Sequence, residues 1–260
     1  MLKRIALVLA AITLTAPMAM ADNVVGAGTW VPFPTWPTAT GTPFWNQPSA
    51  DGSNRNIGYV LTNTGAFSAS SLGPGPLPFY ANSNGTAVTN FYFSNTSGSS
   101  TAAMLIEIAG NAGINIFGWY NIANPSQQGI IFQGNAAAGA SMPFTIPVAN
   151  YGFFLRVGAN GPTYYTQSSL NPSGDQSHQH FAVFAQNLGS GMPTFYIGME
   201  DLPWGHSTLN AEGRVGDYND MVVRITPITP VPEPASLALM GTGLAAVAGV
   251  VRRRRRNAQA

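Results

Sequence analysis

The densest chemistry-bearing stretch of the chain lies between positions 200 and 220. Glu200 and Asp201 stand side by side, and Asp217, Asn219 and Asp220 follow within one short segment. With Glu212, these hold five of the nine acidic residues found between positions 22 and 230. Carboxylates and Asn at this density suit a hard cation such as Ca²⁺, which takes six to eight oxygen ligands. Asp217-x-Asn219 matches the start of an EF-type loop, but Met221 occupies the next ligand position and no Gly or Glu follows in register. The segment is therefore not an EF-hand. A second reading needs no ion: Asp217 and Asn219 make Asx-turns, and Asp220 pairs with Arg214 or Arg224. The sequence leaves both open, with Glu200, Asp201, Asp217, Asn219 and Asp220 as the candidate Ca²⁺ ligands.

Two other constellations could carry chemistry. His178 and His180 are two apart and share one face if they lie on a strand, a spacing that serves metal sites in β folds, with His206 or a carboxylate as third ligand. Alternatively His178 lies in a loop and His180 opens a strand with its ring hydrogen-bonded. Trp30, Trp36 and Trp45, with Tyr164 and Tyr165, could stack against a sugar, or they clamp a Pro-rich loop to the core. Signatures of catalysis are missing: there is no Gly-x-Ser-x-Gly, no His-Glu-x-x-His and no Gly-x-x-x-x-Gly-Lys. Glu107 and Glu200 are the carboxylates a glycosidase pair would use, yet nothing in the sequence brings them together. No catalytic residue is assigned, and the chain reads as a non-enzyme.

The elements that must position these residues are strands. Short apolar or alternating runs recur, separated by Gly, Asn, Pro and Ser, and no window shows a sustained 3.6-residue apolar period. Strands are predicted near 58–62, 87–93, 102–108, 115–120, 129–132, 144–146, 151–157, 164–166, 180–186, 195–199 and 221–226. Roughly ten short strands with turn-rich links predict an all-β fold, a β-sandwich or jelly roll, as a single domain over residues 22–230. Positions 29–48, with five prolines, and 70–78 are predicted to be irregular. The absence of Cys excludes a disulfide framework and a thiol catalyst.

The two ends stand apart from this fold. Residues 1–21 read as a secretory signal peptide: Lys3 and Arg4 precede an apolar stretch, and Ala19-Met20-Ala21 is a small-x-small cleavage site. The Sec translocon and signal peptidase are then partners, and the mature chain begins at Asp22. At the other end, Pro232-Glu233-Pro234 precedes 17 uncharged residues, 235–251, and then Arg252, Arg253, Arg254, Arg255 and Arg256. Seventeen residues at ~1.5 Å rise make about 26 Å of helix, enough for a thin bilayer. The arginines stay cytoplasmic by the positive-inside rule. Without its ends the chain has nine acidic and four basic residues. A domain of that charge lacks the footprint of a nucleic-acid binder.

This tripartite end, residues 231–256, resembles the PEP-CTERM sorting signal. The resemblance implies sorting by exosortase, a membrane-embedded transpeptidase of Gram-negative bacteria. It also implies transient residence in the inner membrane and transfer to the cell surface or an exopolysaccharide matrix such as a biofilm. A second resemblance covers Gly198-Met199-Glu200-Asp201-Leu202-Pro203 and Gly216-Asp217-Tyr218-Asn219-Asp220-Met221-Val222-Val223. These stretches are similar to the DUF4114 family of secreted bacterial proteins and imply an extracellular β domain. The combined expectation is an exported, non-enzymatic surface or matrix component that requires no cofactor. The alternative is an extracellular module that binds Ca²⁺ or carbohydrate.

Protein recovered from the surface of its native host should begin at Asp22 and lack everything beyond the 232–234 motif. Changing Glu233 should strand it in the inner membrane. Mass spectrometry finding Arg252 to Arg256 on the surface form would contradict exosortase processing.

Overall fold

The computed structural model describes residues 22–33, 43–46, 56–62, 75–94, 99–107, 113–134, 136–189, 193–205 and 216–227. The signal peptide, Trp36, His206, Glu212, Arg214 and the whole sorting tail lie outside the described residues. Among the described residues, no helix is long and apolar enough to cross a membrane.

The fold is all-β, built from two antiparallel sheets. The first runs β1 (Asn23–Gly26), β4 (Phe91–Ser94), β9 (Asn150–Val157), β6 (Asn115–Asn121) and β7 (Asn124–Gln133), and β10 (Thr163–Tyr165) also pairs with β9. The second runs β2 (Thr29–Val31), β3 (Phe79–Ala81), β11 (Phe181–Gln186), β12 (Thr194–Met199), β13 (Met221–Pro227), β5 (Ser99–Glu107) and β8 (Ser141–Thr145). The sheets bury their inner faces against each other: Phe93, Phe117, Phe153 and Leu155 of one join Val183, Phe195, Ile197, Val223 and Ile225 of the other in one core. Phe93 meets Phe195 edge to face at 5.3 Å across this interface, a favoured aromatic geometry.

The second sheet is buried on its outer face too. Ala182, Phe184, Tyr196 and Val222 point away from the sandwich core into a second cluster, closed by Trp45, Ile57, Val60 and Leu61. This explains why β11 and β13 read as nearly continuous apolar runs while β7 is largely exposed along its first half. A strand covered on both sides has no polar face to alternate with.

The cover corrects one expectation. Positions 58–62, predicted as a strand, form the helix α1 (Ile57–Thr62). Asn56 is the reason: its Oδ1 accepts the Tyr59 N–H at 3.2 Å, the N-cap bond that starts a helix. Thr62 then turns its hydroxyl back to the Gly58 carbonyl at 2.7 Å. A β-rich composition hid a cap followed by only six helical residues. The irregular stretch 29–48 is corrected in part as well, since Thr29–Val31 pair with Phe79–Ala81. Three strand residues at the head of a Pro-rich run read as part of the loop.

Gly58 marks how tightly α1 is seated. A Cβ built there would come within 2.5 Å of the Trp45 ring, which is fully buried. Helix propensity favours Ala over Gly by about 1 kcal/mol, whereas overpacking a rigid contact costs about 1–3 kcal/mol. Gly58→Ala should therefore lower the melting temperature by a few degrees. A rise in a thermal scan would show that α1 is loosely held.

Candidate functional site

Strand register assembles the site. β12 pairs with β11 through Met199↔Phe181 and with β13 through Met199↔Met221. The residues just beyond these pairs are His180, Glu200 and Asp220, so three consecutive strand ends place them in a row. The Glu200 N–H donates to the His180 carbonyl at 3.1 Å. The Asp201 N–H donates to Asp220 Oδ2 at 2.8 Å. Glu200 accepts from the Gly216 N–H at 3.1 Å and the Leu202 N–H at 3.3 Å. Ligand-type oxygens of Glu200, Asp201 and Asp220 lie within 4.8 Å of one another.

Asp217 and Asn219 are brought to the same end, both nearly fully buried. The Asp217 carbonyl accepts the Ile57 N–H at 2.8 Å, which fastens the start of α1 to this loop. Between them Tyr218 sits at φ 54°, a left-handed conformation unusual for a bulky residue. Its ring is buried and its hydroxyl donates to the Gln179 carbonyl at 2.7 Å. Gln179 is a residue that sequence reasoning missed. Its amide donates to the carbonyls of Val88, Thr89 and Thr166, tying two segments to the start of β11. Arg224, an expected partner of Asp220, stands instead beside Tyr196, its cross-strand neighbour.

The first sheet reaches the same place. Asn115, the first residue of β6, donates its Nδ2 to Asp201 Oδ2 at 2.8 Å. Tyr164 of β10 lies flat on the His180 ring, with centroids 3.7 Å apart and planes 9° from parallel. The site is therefore a junction between both sheets at one end of the sandwich. Asn115 carried no signal in sequence, because a lone Asn opening an apolar strand does not show which distant side chain it will meet.

The two histidines go separate ways. His178 is in the turn before β11 and stacks on Trp204 at 4.1 Å. His180 Nδ1 meets the Glu200 carbonyl at 3.0 Å and Nε2 meets Asp175 Oδ1 at 3.3 Å. Asp175 also accepts the Trp204 N–H at 2.6 Å. Burial works to raise the Asp175 carboxyl, but the His180 and Trp204 hydrogen bonds outweigh it and hold its pKa below the usual value.

The described members of the expected aromatic platform pack against the core, Trp30 only half-buried. Trp45 is fully buried against Phe79 and Phe184, and Trp30 stacks on Phe195. Tyr164 is likewise buried. Enclosed by protein, the Trp45 indole offers no face to a glycan. The glycosidase pair fares differently at the backbone: Glu107 stands opposite Met221, at the same sheet end as Glu200. Glu200 itself is only 4% exposed.

Electrostatically the cluster is under tension. Burial first, then the Asp217 charge, push the Glu200 carboxyl up to about 8, against the Gly216 N–H and the Asp220 hydrogen bond, which lower it. Burial and the charges of Glu200, Asp201 and Asp217 push Asp220 well above the usual carboxylate range. Like charges this close cannot all ionise without a counter-charge.

Residues 230–256 match the PEP-CTERM protein-sorting motif. The motif implies an exported protein whose membrane-anchored precursor is sorted by exosortase to the cell surface. The match begins just past β13, so the PEP-CTERM segment follows the last strand of the second sheet directly. No curated protein and no solved structure matches the chain.

The raised Glu200 value sets a sign for pH dependence. A carboxyl whose folded pKa lies above its unfolded value contributes stability that is present below the unfolded pKa. That stability is lost as pH rises through the folded one. In chelator, the melting temperature should therefore fall between about pH 5 and about pH 9. Glu200→Gln should flatten the fall, because an amide keeps the acceptor for Gly216 without the charge. A profile equally steep in both proteins would assign the titration elsewhere.

Proposed function

We propose that the exported part is a non-catalytic component of the cell surface or its exopolysaccharide matrix, delivered there by the sorting tail. The PEP-CTERM match at residues 230–256 carries this reading. Two further features support it. Glu200 is buried and, like Asp220, spent on backbone N–H groups at strand ends, which fastens loops there. The likeness of 198–203 and 216–223 to DUF4114 also points to an exported β domain whose acidic segment belongs to its architecture.

The test is fractionation of native host cells. Processed protein should co-sediment with the envelope and its polysaccharide, and deleting its coding sequence should weaken matrix cohesion. Purified protein should not shorten the host polysaccharide. Polysaccharide cleavage that disappears in Glu200→Gln would overturn the non-catalytic reading, and processed protein found only as free monomer in the medium would overturn the matrix role.

A further inference from the structure

The chain enters and leaves the sandwich at one end, and the connections at that end are uncharged. Two contacts between the sheets fix which strand ends share a side. Asn115, at the start of β6, meets Asp201, just beyond β12. Phe93, near the end of β4, meets Phe195, near the start of β12. The strands of both sheets therefore run between the same two ends. Away from the acidic junction, Asn23 opens β1 opposite Ser94, and Ser94 stands opposite Asn150. Pro227, the last residue of β13, stands opposite Ser100 at this same end. The connections here, 122–123, 146–149 and 187–193, contain no Asp, Glu, Lys or Arg. Ala123, Ala149 and Leu188 are exposed in them, and Ile122 and Val148 are half-buried. Asp22, before β1, is buried. The other acidic groups among the described residues lie at the far end: Asp175, Glu200, Asp201, Asp217, Asp220 and, by its register opposite Met221, Glu107.

We propose that this uncharged end rests on the outer surface of the lipid bilayer while the sorting tail is in place, so that the acidic junction faces away from the membrane. The length of chain beyond β13 sets the reach. β13 ends at Pro227, and the uncharged span of the sorting tail starts at position 235. Eight residues, even fully extended, reach about 28 Å. The headgroup layer takes roughly 5–7 Å of that. For the acidic end to face the bilayer, the tether would have to run back along the sandwich, where β9 with its eight residues measures about 25 Å. Those two lengths together exceed the tether, so the inverted orientation is out of reach. β13 is also an interior strand of its sheet, so the tether leaves from within the end and not from a side. Contact with headgroups strips water from a surface, which costs least where no charge is stripped with it. The contact itself can be weak, because a short tether holds the end at a millimolar-range effective concentration. The proposal rests on the membrane-anchored precursor that the motif implies, and not on the matrix role of the processed form.

The experiment uses the whole precursor, tail included, in vesicles of phosphatidylethanolamine and phosphatidylglycerol. The chain has no Cys, so Ala123→Cys, Leu188→Cys and Ala159→Cys each give a single point for a donor dye, with an acceptor on the lipid headgroups. Ala123 and Leu188 are exposed at the tethered end, and Ala159 is exposed at the opposite end, between β9 and β10. Energy transfer should place positions 123 and 188 at the headgroups and position 159 about 20 Å farther out. Ala123→Glu with Leu188→Glu should abolish that difference, read from dyes at Ala149→Cys and Ala159→Cys, at an unchanged melting temperature. Equal distances at 123 and 159 in the wild-type background, as for a domain that tumbles freely or lies on a sheet face, would overturn the proposal. A difference that appears only when exosortase is added would overturn it too, since the partner of this end would then be the enzyme and not the lipid. Precursor that does not float with the vesicles removes the anchor and the proposal with it. The processed form does not enter these readouts, so the proposal and the matrix role fail separately.

Discussion

The antiparallel register in which Met199 stands between Phe181 and Met221 governs this end of the molecule. Side chains in a strand alternate faces, so a slip of one residue in either pair would turn the inward Met199 and Met221 outward. It would also separate His180, Glu200 and Asp220. The register is held by burial on both sides: Val183, Ile197 and Val223 against the first sheet, and Ala182, Phe184, Tyr196 and Val222 against α1 and Trp45. A sheet covered on both faces tolerates no slip, because every alternative register moves an apolar set of the wrong shape into each layer. The junction thus inherits its precision from the core and does not have to supply its own.

The loops at the junction show what that precision is used for. Glu200, Asp220 and Asp175 each accept a main-chain N–H from a segment distant in sequence or across a turn. Tyr218 holds a left-handed backbone conformation, an arrangement that persists only where the surroundings fix it. Its buried hydroxyl and the Gln179 amide, with three carbonyl acceptors, are that fixing. The strained residue and the charged residues are neighbours in the Gly216–Asp220 loop, so relaxing one would displace the other. Asn115 and Tyr164 extend the same linkage to the first sheet.

Sequence reasoning saw the β class because the runs in β6, β9, β11, β12 and β13 are long enough to show either alternation or continuous burial. It did not see β1, β2 and β3, runs of three or four residues set among glycines and prolines that read as loop. It misread α1 because the apolar pair Val60-Leu61 looks the same in a strand as in a buried helix, and the Asn56 cap was the only distinguishing mark. At the site, the five acidic and amide residues of 200–220 were legible from their density, and the structure does bring them to one end. What was not legible was their completion by Asn115, Tyr164 and Gln179. Those residues lie 21 to 105 positions away from the segment's nearest or farthest members, and their side chains gain meaning only through long-range pairing. The tail was the most legible part, since order and composition alone identify a sorting signal that needs no tertiary context.

Two ways exist to neutralise four carboxylates at a sealed junction, and they differ in what controls them. Protons can be shared, as the raised Glu200 and Asp220 values allow, or a cation can sit among the oxygens. Sharing protons links the junction to pH: as pH rises through about 8 the Glu200 carboxyl loses its proton, and repulsion among the neighbouring carboxylates then works against the strand ends that the register has aligned.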